Sequence, residues 1–228
     1  MKTLGLVLAL MVVVSGASMA ATATYDIYQG WNLLAAPLAP FNPDPLSVFA
    51  GAPDGLDYLL YRFDPSGGYV TYDALDPSTF GNCLLGDGYS LNVYASTGTI
   101  SYQGFPDGLP DAQGVKTDMW ISLPGSQTDG LDAGGWQLIG HPFDHNTVVD
   151  SGTGTGDKIF FTDGTTLKNW SEAVAATWVD GKMSGNDAVS GSFNVQYDGL
   201  GDTDTLQAGR GYWIATYKDN LAMIVPAN

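Results

Sequence analysis

Two motifs occur twice in this chain, in the same order, and that repetition limits the fold more than any other feature. Gly30-Trp31-Asn32-Leu33-Leu34-Ala35-Ala36-Pro37-Leu38 is echoed by Gly135-Trp136-Gln137-Leu138-Ile139-Gly140-His141-Pro142-Phe143. Gly86-Asp87-Gly88-Tyr89 is echoed by Gly209-Arg210-Gly211-Tyr212, each with a second tyrosine five residues on, Tyr94 and Tyr217. The first pair of motifs lies 58 positions apart, Trp31 to Tyr89, and the second 76, Trp136 to Tyr212, so the second copy carries an insertion. Between the motifs, residues 60–64 correspond to 194–198. The chain reads as a duplication, cut within the turn-rich stretch 104–114 into 21–108 and 109–228.

Each copy is expected to consist of short strands. Segments 31–35, 59–63, 69–72, 89–94 and 99–102 are β-branched or aromatic runs bounded by Gly, Pro, Asp or Asn. The second copy offers 136–140, 158–161, 192–197, 212–216 and 222–225, and 119–123 is a further strand between the two sets. One short helix is expected per copy. Residues 44–50 open with an Asp cap and a Pro. Residues 167–179 place Leu167, Trp170, Val174 and Trp178 on one face. The fold class is mainly β: two duplicated modules of β-sandwich or open-barrel type, each with one short helix.

The acids support this. Of 24 acidic residues 23 are Asp and only Glu172 is Glu. Aspartate hydrogen-bonds its own backbone in turns and caps, whereas glutamate suits helix interiors. With 30 Gly and 12 Pro, the composition describes many turns and few helices.

Residues 1–20 have the pattern of a cleaved secretory leader: Lys2, an apolar run over 4–14, then Ser18 and Ala20 at the small-residue positions. The apolar run is shorter than the roughly 20 residues a membrane-spanning helix needs. We expect a secreted or cell-surface protein with no membrane insertion of the mature chain. Without Lys2 its 24 acids face seven bases, a net charge of −17. Such a polyanion repels phosphate backbones, so nucleic acid is not an expected partner. Cys83 is the single cysteine and is read as a small buried hydrophobe.

No motif signals an enzyme. His141 and His145, the only histidines, sit four apart in GHPFDHN, but Pro142 breaks the helix that would align them on a zinc ion, with Asp144 or Asp150 as third ligand. A turn at a strand end is the simpler reading. Calcium is the best metal candidate, with Asp198, Asp202 and Asp204 offering oxygen ligands in one loop that lacks EF-hand order. The glycine-spaced stretch 152–159 resembles a calcium β-roll repeat, though one copy cannot form a roll. Trp31 and Trp136, as repeat positions, are assigned to the core. Trp120, Trp170 and Trp178 are the candidate platforms for stacking on sugar rings.

Gly135-Trp136-Gln137-Leu138-Ile139-Gly140-His141-Pro142-Phe143 and the closing segment 206–226 resemble modules of uncharacterised bacterial extracellular and cell-surface proteins, with Gly-Trp-Asn-Leu-Ile and Gly-Tyr-Trp strands. The likeness covers most of 119–228 and, more weakly, 25–102, where Ser90 stands in place of the Trp. It implies a β-rich secreted module and assigns no site residues. The leading expectation is a non-catalytic surface or matrix protein that binds other surface proteins or further copies of itself. A carbohydrate-binding module is the alternative, and a calcium-stabilised adhesin the third.

Overall fold

The computed structural model describes residues 20–94, 97–109, 115–126, 134–149, 158–187, 192–197 and 205–227. The leader, Asp150, the stretch 152–157 and the proposed calcium ligands Asp198, Asp202 and Asp204 lie outside them, Ala20 excepted. The first copy contains β1 (Ala21–Ile27), β2 (Gly30–Ala35), β3 (Ala39–Pro40), α1 (Pro45–Val48), β4 (Leu60–Asp64), β5 (Gly68–Thr71), α2 (Pro77–Phe80), β6 (Gly88–Val93) and β7 (Gly98–Phe105). The second contains β8 (Met119–Leu123), β9 (Gly135–Gly140), β10 (Thr147–Val148), β11 (Phe160–Thr162), β12 (Leu167–Asn169), α3 (Trp170–Ala175), β13 (Val179–Asp187), β14 (Ser192–Tyr197), β15 (Thr205–Leu206), β16 (Gly211–Thr216) and β17 (Leu221–Val225). The fold is mainly β; the sheets are antiparallel and none closes into a barrel.

The sheet orders carry the repeat. In the first copy they are β5-β4-β6-β2 and β1-β7-β3. In the second they are β14-β13-β16-β9 and β12-β11-β17-β8, with β10-β15 as an added ribbon. Taking β2 with β9, β6 with β16, β4 with β13, β5 with β14, β1 with β8, β7 with β17 and β3 with β11 makes the orders coincide, apart from the extra edge strand β12. The expected match of 60–64 to 194–198 is therefore one strand out: β4 corresponds to β13. Each copy encloses its own apolar core, around Leu34, Leu60, Tyr89 and Ile100 in one and Phe161, Trp170, Tyr212 and Ile214 in the other.

The helices differ from expectation in number and length. The first copy has two, α2 being the addition. The helix expected over 167–179 shrinks to α3 because Leu167–Asn169 pairs with β11. The Asn169 side chain then accepts from the Glu172 N–H at 2.8 Å while Glu172 accepts from the Asn169 N–H, a capping box that starts the helix at Trp170. Its other end closes when Thr177 turns to φ 58°, with the Trp178 N–H on the Ala173 carbonyl and the Thr177 N–H on Val174.

The tyrosine of each Gly-x-Gly-Tyr motif has a definite task. Tyr89 and Tyr212 are buried, and each hydroxyl accepts the backbone N–H five residues upstream, Leu84 at 2.9 Å and Gln207 at 2.7 Å. The phenol ties down the turn that leads into its strand. Tyr89→Phe keeps the ring and leaves the Leu84 N–H unpaired. It is expected to cost about 1 kcal/mol, read as a fall of roughly 2–4 °C in thermal midpoint; an unchanged midpoint would remove this role.

The two modules meet through the same motifs, related by a pseudo-twofold. Leu34 bridges to Arg210, and its counterpart Ile139 bridges to Asp87. The Ala35 N–H donates to the Gly209 carbonyl at 3.0 Å and the Gly140 N–H to Gly86 at 2.7 Å. Backbones touch here. A Cβ on Gly88 would lie 2.5 Å from the Ile139 oxygen, and one on Gly140 would strike the Asp87 carbonyl and come 2.7 Å from the Ala35 Cβ. Ala35 and Gly140 are equivalent positions facing each other, so the axis passes between them and leaves room for one methyl.

Candidate functional site

A row of aromatic side chains runs across both modules on the outer face of the four-stranded sheets. The β4 and β5 registers set Tyr61 opposite Thr71 and Phe63 opposite Tyr69, while Trp31 lies opposite Asn92 on the β2–β6 pair. In the second module Trp213 lies opposite Leu138 and Ser184, and Trp136 opposite Ala215. Ring centroids connect Trp31 to Tyr61 at 5.5 Å, Tyr61 to Tyr69 at 6.2 Å and Tyr69 to Phe63 at 5.4 Å. The row crosses the junction from Phe63 to Trp213 at 4.9 Å and ends on Trp136, 6.4 Å further. The contacts among Phe63, Tyr69, Trp213 and Trp136 are edge-to-face, 76–83° between planes, the arrangement the ring quadrupoles favour. Phe63, Tyr69, Trp136, Trp213 and Ser184 line a groove of about 360 Å³. Tyr69 is 61% exposed and Trp136 53%.

Trp31 and Trp136 are thus surface residues, not core. On β2 and β9 the inward positions are taken by the amide and the second aliphatic, Asn32 and Leu34 or Gln137 and Ile139, which turns the indoles outward. Trp170 is buried against Phe161. Trp178 is also buried, with the ammonium groups of Lys168 and Lys218 5.1 and 4.8 Å over its ring. Neither can serve as a sugar platform. Trp120 is 60% exposed beside a shallow depression with Ser122, Asp163 and Asn220.

A second cleft, about 320 Å³, abuts the groove and shares Phe63 with it. Arg62 and Asp64 reach it from β4, Asp87 and Gly88 from the Gly-x-Gly-Tyr turn, and Gln137 and Leu138 from β9. The Arg62 guanidinium is held by the Phe80 and Thr79 carbonyls at 2.6 and 3.3 Å. Asp64 Oδ1 accepts from the Ser66 hydroxyl, the Ser66 N–H and the Gly67 N–H, and these bonds hold its carboxyl below the usual range. Gln137 is 3% exposed, and among the described residues its Nε2 has no hydrogen-bond partner. Leaving such a donor unpaired costs about 1–3 kcal/mol.

The other candidates do not converge. His141 is buried, with Nδ1 accepting from the Phe143 N–H at 3.1 Å. His145 sits 3.2 Å from Asp144, its ring stacked on Phe143. Among the described residues no group of three His, Cys, Asp or Glu is placed to hold a metal ion. Cys83 is fully buried, and burial pushes its thiol up to about 12, so it packs as an unreactive hydrophobe.

One signal for the groove was present in the chain. Tyr212 and Trp213 are neighbours on a strand, so one must face out. Tyr61-x-Phe63 followed by Tyr69 places three rings on one hairpin face by the same rule. Among the described residues no helix is long and apolar enough to cross a membrane. No protein family, curated protein or solved structure matches the chain.

Proposed function

We propose that this chain is a secreted, non-catalytic carbohydrate-binding protein whose aromatic groove stacks on the ring faces of a neutral glycan. The observation that carries the reading is the groove itself: Phe63 and Tyr69 from one module and Trp136 and Trp213 from the other line one open, apolar space. Sugar rings offer C–H faces to such rings, and contiguous exposed aromatics in a soluble protein mark an interaction site. The adjoining cleft adds hydrogen-bonding groups for hydroxyls. A formal charge of −16 over the whole chain disfavours anionic polysaccharides.

The test is titration with neutral oligosaccharides, followed by tryptophan fluorescence and calorimetry. Trp213→Ala is expected to weaken binding roughly 30-fold, about 2 kcal/mol for a central aromatic anchor. Its fold should persist, since Trp213 faces out of its sheet. No response to any neutral glycan would sink the proposal.

A second reading has its own support. β5 and β14 are the outermost strands of their sheets, and an open edge can pair with another copy. Self-association through them predicts concentration-dependent mass in light scattering coupled to size exclusion. A glycan-binding monomer predicts constant mass.

A further inference from the structure

Resting on the glycan reading, we propose that the polar cleft beside the groove recognises an acetamido group, so that the ligand is an N-acetylated sugar. The argument begins with the difference between the two copies at one position. In the first module Asn32 spends its whole amide on local structure: Oδ1 accepts from the Tyr28 N–H, and Nδ2 donates to the Tyr28 and Gly30 carbonyls. Gln137 occupies the equivalent place with one more methylene. Among the described residues it makes no such bond; its Nε2 is buried and unpartnered, and Gln137 is one of the residues lining the cleft. The amide is released from structural duty and needs an acceptor. Rotation about its last bond lets it present its N–H.

The other walls define which acceptor. Asp64, kept ionised by its turn hydrogen bonds, is acceptor-only, and Oδ1 takes all three of those bonds. Oδ2 is therefore left to take an N–H. Phe63, Pro124 and Leu138 supply apolar surface between these polar groups. A secondary amide with a methyl answers all three: its carbonyl accepts from Gln137, its N–H donates to Asp64, and its methyl packs on the apolar wall. A carboxylate would face Asp64 and Asp87. A lone hydroxyl could accept from Gln137 and donate to Asp64, but it would leave the apolar wall unfilled. Because Phe63 borders both spaces, a sugar ring stacked in the groove can extend its substituent into the cleft.

The experiment compares β-1,4-linked N-acetylglucosamine oligomers with β-1,4-linked glucose oligomers of equal length on the full chain. N-acetylated oligomers are expected to bind at least 10-fold more tightly. Gln137→Leu, which suits a buried position, is expected to bring the two series together by weakening only the N-acetylated one. Equal affinities in the unaltered chain would overturn the acetamido assignment while leaving the glycan reading intact. A preference that survives Gln137→Leu would overturn the assignment to this cleft. Failure of both series to bind would overturn the glycan reading, and the assignment with it.

Discussion

Gly140→Ala is expected to lower the thermal midpoint by roughly 6–12 °C, the effect of about 3 kcal/mol on a chain of this size. One added methyl normally changes little. Here it would meet the Asp87 carbonyl and the Ala35 Cβ at once, and one of those obstacles is backbone that cannot rotate away. Relief requires the modules to separate. Loss of the Gly140–Gly86 and Ala35–Gly209 hydrogen bonds should follow, and one cooperative unfolding transition should resolve into two. Adding Ala35→Gly removes the methyl contact and leaves the carbonyl contact, so the double variant should recover only part of the loss. A single transition within 1 °C of the parent would show that the junction tolerates the methyl.

The second large effect is one of pH. Burial holds the His141 imidazole down at about 4, with His145 adding to the shift. In the unfolded chain the same group protonates near 6.5. Between those values the unfolded state binds a proton that the native state refuses, so stability falls as pH falls. The contribution is intact above pH 6.5; the loss reaches about 2 kcal/mol by pH 5 and about 3 kcal/mol by pH 4, then levels off. Urea midpoints measured from pH 7 to 5 follow this change, because most carboxylates titrate lower. His141→Asn should flatten that interval. A slope unchanged in the variant would move the effect to other groups.

The repeat was legible because it is written in residues whose roles are backbone-bound. Gly88 and Gly140 have no room for a side chain, and Tyr89 and Tyr212 each hold a turn, so these motifs persist in both copies. β13 was not legible. Val179–Asp187 contains Gly181, Gly185, Asn186 and Asp187, which read as turn residues, and its pairing with both neighbours shifts register along its length. With turn-like residues throughout β13, the sequence pattern of β4 finds its match in β14 instead. The helix expected over 167–179 is cut short by tertiary pairing, since Leu167–Asn169 pairs with β11 and the capping box starts the helix only at Trp170. Trp31 and Trp136 depart from expectation for a different reason: large aromatics suggest a core, yet strand parity gives the inner face to Asn32 and Gln137. The groove itself requires residues 63, 69, 136, 184 and 213 to meet across the junction, and no local pattern encodes that meeting.

A twofold frame would ordinarily offer two equal sites, but Ser90 stands at the position of Trp213 and is buried. Among the described residues the groove therefore forms once, on a frame that repeats. On the glycan reading proposed above the chain would be monovalent, and calorimetry is expected to return one site per chain. Joining two ligand strands then falls to pairs of chains, so any cross-linking would rise with the square of concentration.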